Sequence, residues 1–149
     1  MLQKTAPYQM MLRAKLLSDS VVWFDTFKNN PELRKMIITM IQKDQLTDKG
    51  IDSMGQVIGY YSPVTAMINK LKKANSHYTL HDTGEFYNSM FVVVLNDSLV
   101  IGGDVDKFAN QEWYRDSILN LTEENLIIFT EQVRIKYIEY VRKILFQGR

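Results

Sequence analysis

The most regular alternation of apolar and polar positions lies in LNLTEENLIIFTEQVRIKYIEYVRKIL. There Leu126, Phe129, Val133, Tyr137, Tyr140, Val141 and Ile144 recur at intervals of three and four and form one helical stripe. Thr122 is placed to cap this helix, Glu123 and Glu124 stand in its first turn, and Arg142 and Lys143 stand near its end. A helix over 123–146 is predicted. Ile128, Ile135 and Ile138 add apolar surface on a second side. One stripe would dock the helix on its own domain, so the second side implies deep burial or a partner subunit, and both readings stand.

The N-terminal segment, residues 1–43, reads as helical. Met11, Leu12, Leu16, Val22, Trp23 and Phe27 keep helical spacing over about 8–28, with Ser18, Asp19 and Ser20 as a point of interruption. Asn30 as N-cap, Pro31 at the first helical position and Glu32 in the first turn then start a second helix, expected to end near Asp44. From 44 to 62 the helical pattern is lost. Gly50, Gly55 and Gly59, spaced among Ile51, Val57 and Ile58, suit an extended arm or open hairpin with turns at Gly50 and Gly55.

Residues 63–149 read as an α+β core. Ser62 followed by Pro63 starts a short helix with Val64, Ile68 and Leu71 on one face and Lys70, Lys72 and Lys73 at its end, stopping near Asn75. FVVVLNDSLVIGGDV gives two apolar runs about Asn96 and Asp97, a tight hairpin near 90–105. Both faces of its first strand are apolar, so a covering layer is expected on each. The fold class is α+β: a small antiparallel sheet, formed by the hairpin with the glycine-rich arm, packed with several helices and the long C-terminal one.

Composition narrows the functional classes. The 149 residues suit one domain. A net charge of +1 from 18 basic and 17 acidic side chains gives no global field for nucleic acid or an anionic membrane. With no cysteine, disulfides, thiolate metal sites and cysteine nucleophiles are removed together. The longest apolar run is the short MFVVVL, so neither a signal peptide nor a transmembrane helix is expected.

The stretch LHDTGEFYNSM contains Asp-Thr-Gly, the tripeptide of aspartic proteases, which need two carboxylates sharing one proton. A homodimer would have to supply the second. Glu85, three residues after Asp82, and Phe86, Tyr87 and Met90 at helical spacing favour a capping box, in which Asp82 accepts from the Glu85 N–H and Glu85 reaches back. Gly84 then serves close backbone approach. His77 and His81 could bind a metal with Asp82, but YTL between them is β-prone, so a surface or packing role is favoured. KLKKAN beside Tyr78 is read as a solvated basic helix end before a single-strand binding patch. The glycines are not followed by the Lys-Ser/Thr pair of a phosphate loop. No catalytic, cofactor or metal residue is expected.

In order, KGIDSMGQVIGYYSP, LHDTGEFYNSM and DSILNLTEENL resemble small virion proteins of tailed bacteriophages that build the neck or complete the tail, including those of crAss-like phages of Bacteroidetes hosts. The resemblance runs from about residue 44 to the end. Leu80, Asp82, Thr83, Gly84, Phe86 and Ser89 match the family's motif position by position, with no catalytic role for Asp82. It implies a homo-oligomeric ring, roughly twelve copies below a portal or six above a tail tube, that joins head to tail and lines the DNA path. It further implies neck, portal or tail proteins as partners, nonspecific contact with DNA in the lumen, and a place in the virion after synthesis in the host cytoplasm. A tail-tube terminator is the alternative within the family. The N-terminal helix with Trp23 and Phe24 would be a docking arm onto a neighbouring ring, and Ile128, Ile135 and Ile138 would face the next subunit.

Overall fold

The computed structural model describes residues 5–15, 17–108 and 116–147. The N-terminal apolar pattern forms two helices, α1 (Ala6–Lys15) and α2 (Asp19–Asn29), with Leu16 outside the described residues. The break falls at Ser18, whose extended backbone and side-chain oxygen, accepting from the Val21 N–H at 3.4 Å, start α2 afresh. Helix α3 (Pro31–Thr39) begins on Asn30 with Pro31 in its first turn, although Asn30 makes no capping bond and instead donates its amide to the Thr26 carbonyl.

The helix after Pro31 does not end near Asp44. It runs on as a π-helical stretch, Met40–Lys49, in which Met40, Ile41, Gln45 and Leu46 are buried. Burial at 40 and 45 and at 41 and 46 has the five-residue spacing of a wide turn, which a search at period 3.6 does not detect. The Thr47 hydroxyl donates to the Gln42 carbonyl at 2.7 Å, and Gly50, left-handed with φ 62°, stops the helix by donating to the Gln45 carbonyl.

Residues 50–62 are folded onto the body. Ile51 pairs with Val57 and Tyr60 with His77 as isolated antiparallel bridges, and Ile58 and Tyr61 are buried. Gly55 sits at a turn tip with no neighbour, where the Asp52 carboxylate accepts from the Met54 and Gln56 N–H groups. Gly50 and Gly59 are different: a Cβ at Gly50 would lie 2.3 Å from the His77 ring, and one at Gly59 would lie 2.4 Å from the Tyr78 ring. Those aromatic side chains occupy the space a side chain would need.

The sheet has two antiparallel strands, β1 (Phe91–Val94) and β2 (Leu99–Gly102), with Val94 opposite Leu99 and Phe91 opposite Gly102. The glycine segment contributes bridges and no strand to it. Val92, Val94, Leu99 and Ile101 pack against the core, while Phe91, Val93, Leu95 and Val100 stay exposed. The covering layer expected on both faces of β1 is present on one.

Short helices α4 (Pro63–Ile68) and α5 (Glu85–Ser89) flank the approach to β1, and two 3-10 turns, Asp106–Phe108 and Asp116–Leu119, follow β2. Ser62 caps α4 as predicted, accepting from the Thr65 N–H at 3.1 Å. Helix α6 (Glu123–Gln147) starts at Thr122, which accepts from the Asn125 N–H. Asn125, Phe129 and Ile144 are its buried side chains, and the helix packs on α1, α2 and α3. Phe27, Leu33, Ile37, Ile41, Leu46, Phe86, Ile118 and Phe129 form the centre of one core. Burying a side chain of this size contributes about 2 kcal/mol, which makes this cluster the main source of stability.

Candidate functional site

The Asp-Thr-Gly corner is built by a left-handed residue. Gly84 stands at the N-cap of α5 with φ 84°, and α5 has no side-chain cap. A Cβ at Gly84 would meet only ordinary contacts near 3.6 Å, so its backbone angle and no tight approach accounts for the glycine. That turn carries Asp82 away from the helix start. The Glu85 N–H lies 3.4 Å from the Thr83 hydroxyl, while Asp82 accepts from the Asn69 amide at 3.2 Å and pairs with the Lys72 ammonium at 3.6 Å. The expected capping box is therefore corrected: Asp82 braces the end of α4, ten to thirteen residues back in the chain.

Lys72 lies over the Tyr61 ring, 4.8 Å from its centroid, and its side chain is mostly covered. The middle lysine of KLKKAN thus belongs to the fold, with Lys70 and Lys73 exposed on either side. With a lysine and an amide as its partners, Asp82 acts as a strut between the corner and the end of α4.

Phe86, Tyr87 and Ser89 point inward, while Thr83 and Glu85 are exposed. Phe86 is fully buried, edge-on to Phe108 at 5.0 Å. The Ser89 hydroxyl donates to the Phe86 carbonyl at 2.7 Å and accepts from the Asp104 N–H at 2.8 Å, joining α5 to the segment after β2. The Tyr87 hydroxyl donates to the Thr79 carbonyl and lies 3.3 Å from the Gln42 carbonyl and 3.2 Å from the Thr47 hydroxyl. Burial raises the Tyr87 phenol above its ordinary value of 10.0, against a lowering by the Thr47 hydrogen bond.

The two histidines serve different neighbours. His77 hydrogen-bonds the Thr47 carbonyl through Nε2 at 2.8 Å, and His81 stands edge-on to Tyr87 at 4.9 Å. Among the described residues, no three His, Asp or Glu side chains gather as a metal site. No described helix is long and apolar enough to cross a membrane.

Sequence reasoning missed the buried junction at Gln45. Its carbonyl oxygen accepts from the Thr122 N–H at 2.9 Å and the Asn125 amide at 3.1 Å, and its own amide donates to the Asn120 carbonyl at 2.9 Å. One side chain satisfies three groups at the start of α6. Its hint was a glutamine between Ile41 and Leu46, which helical periodicity alone cannot assign.

The residues expected at subunit contacts divide in two. Trp23 is built into the body, its indole N–H donating to the Leu95 carbonyl at 2.8 Å and its ring edge-on to Phe27 at 4.8 Å. Trp23 thus fastens α2 to the hairpin, and Phe24 beside it is exposed. Ile128 and Ile135 are exposed and Ile138 is half-buried. Exposed apolar side chains also occur where they were not foreseen. Val64, Ile68 and Leu71, expected on one face of a short helix, are among the most exposed apolar residues, and Met67 joins them. Helix α4 has no buried residue.

An apolar cleft of about 570 Å³ opens between β2 and α6, lined by Trp23, Leu99, Ile101, Leu126, Phe129 and Val133 among others. Neither a known protein family, nor a curated protein, nor a solved structure matches this chain.

Proposed function

We propose that this protein is a structural subunit that works by assembly, forming an oligomeric ring in the neck of a tailed bacteriophage between head and tail. The observation that carries the assembly reading is the apolar surface left open on a well-packed body: the α4 corner, the outer face of the hairpin and the cleft beside α6. Contiguous apolar surface of this kind characterises sites of protein contact. The place in the neck rests on the ordered sequence motifs. The structural use of Asp82, Phe86 and Ser89 supports a motif that shapes a corner of the fold.

The test is reconstitution. The purified chain, alone and mixed with portal and tail proteins of the same phage, is sized by light scattering and imaged by electron microscopy. Rings, or recruitment into a portal or tail complex, support the proposal. Cleavage of peptides at acid pH that is abolished by Asp82→Asn would replace it with a dimeric aspartic-type hydrolase.

A further inference from the structure

Two apolar surfaces of this chain are opposite in shape and in the charge left unpaired beside them. The first is a knob. Val64 is 64% exposed, Met67 83% and Ile68 82%, on a helix with no buried residue, and Leu71, in the turn that follows it, is 88% exposed. Nothing in the fold requires these side chains to be apolar, since none of them contributes to the core. Lys70 and Lys73 flank the knob, exposed and without an ion-pair partner among the described residues, while Lys72 is held inward by Asp82 and Tyr61.

The second surface is the apolar cleft between β2 and α6, with Leu126 at its rim. Glu123 lies one and two turns before Leu126 and Thr130 on the same side of α6, and it lines a smaller depression that shares Ser53 with the cleft. It is exposed and has no ion-pair partner among the described residues, and it stands at the N-terminal end of the helix. The same depression holds Lys49 and Glu124, which pair with each other at 3.2 Å, so Glu123 is its one carboxylate without an ion-pair partner, against Lys70 and Lys73 beside the knob.

We infer that copies of this chain associate head to tail, the α4 knob of one seated in the β2–α6 cleft of the next, with Lys70 and Lys73 facing the Glu123 end of α6. The inference rests on the assembly reading proposed above and names its contact. The surfaces share no residue, so the contact is heterologous: each copy offers one of each, and the chain of contacts closes as a ring or continues as a filament. The apolar knob supplies the binding energy, and the edge charges set orientation and a salt-dependent encounter rate.

The experiment uses two single variants of the full chain, Ile68→Asp to block the knob and Leu126→Asp to block the cleft rim, checked for wild-type thermal unfolding. The wild type is expected to self-associate, and each variant alone to lose association by roughly tenfold or more. An equimolar mixture of the two is expected to give a discrete one-to-one dimer, because one intact knob and one intact cleft remain. A wild type that stays monomeric, a variant that still assembles, or a mixture that forms no dimer overturns the inference. Should Leu126→Asp unfold the chain, Glu123→Lys takes its place, and restored association on pairing it with Lys70→Glu/Lys73→Glu is the supporting result. Wild-type oligomers that survive Ile68→Asp and still bind portal or tail proteins would remove the inference and leave the neck reading standing. Knob-dependent oligomers that ignore portal and tail proteins would do the reverse.

Discussion

Gln45 and Asp82 each use one polar side chain to join distant parts of the chain, but in opposite surroundings. Gln45 is sealed from water and satisfies a backbone N–H, a side-chain amide and a carbonyl at the start of α6. Asp82 is largely exposed and holds Asn69 and Lys72 at the end of α4. Water can replace the partners of Asp82 and cannot reach those of Gln45. Equal-looking networks therefore carry unequal free energy, because the weight lies in what an unmade bond leaves behind.

The comparison is broken most severely at the core beside Gln45. Ile41→Ala removes a fully buried side chain next to the junction. A loss of about 2–5 kcal/mol in urea unfolding is expected, and a loss under about 1 kcal/mol would mean the site collapses around the gap. Gln45→Leu keeps the volume while leaving the Thr122 N–H and the Asn125 amide without an acceptor. The expected cost is about 2–3 kcal/mol, with the start of α6 the first region to gain amide exchange.

Tyr87 stands between the two regions, bonding Thr79 near the corner while lying beside Gln42 and Thr47 of the π-helical stretch. Its folded phenol titrates above the unfolded value of 10.0. Neutral tyrosine is thus favoured in the native state, its contribution is fully present below pH 10.0, and it is lost as pH rises through the folded value. Denaturant midpoints from about pH 8 upward should fall above about pH 10. Tyr87→Phe should flatten that fall and lower neutral-pH stability by about 1 kcal/mol, the net worth of one hydrogen bond.

The smallest effect belongs to Asp82. Asp82→Asn retains the shape and removes an exposed ion pair, so a change within about 0.5 kcal/mol is expected, reduced further in salt. A loss above about 2 kcal/mol would move Asp82 into the class of Gln45 and refute the contrast.

How far the fold could be read from the chain follows the same division between local and distant interactions. Thr122 and Ser62 were legible as caps because their partners lie three residues on, and the hairpin was legible because Asn96 and Asp97 interrupt an apolar run. The π-helical stretch was not, since burial at 40, 41, 45 and 46 follows neither helical nor strand periodicity. The corner at Asp82 is legible as a turn, but the partner of Asp82 is not. A capping box looks three residues ahead, and the bond that forms runs thirteen residues back to Asn69. The exposure of the α4 face is not legible either, because apolar spacing reports a helix face and not what lies opposite it.

The reach of Gln45 also has a kinetic meaning. Its three bonds join positions 75 to 80 residues apart, so none can form until most of the chain has been brought together, and the entropy of that closure precedes the reward. The clamp then belongs to the native side of the folding barrier. Removing it should quicken unfolding and leave the folding arm of a chevron almost unmoved, so Gln45 would set how long a folded subunit lasts and have little part in how fast it forms.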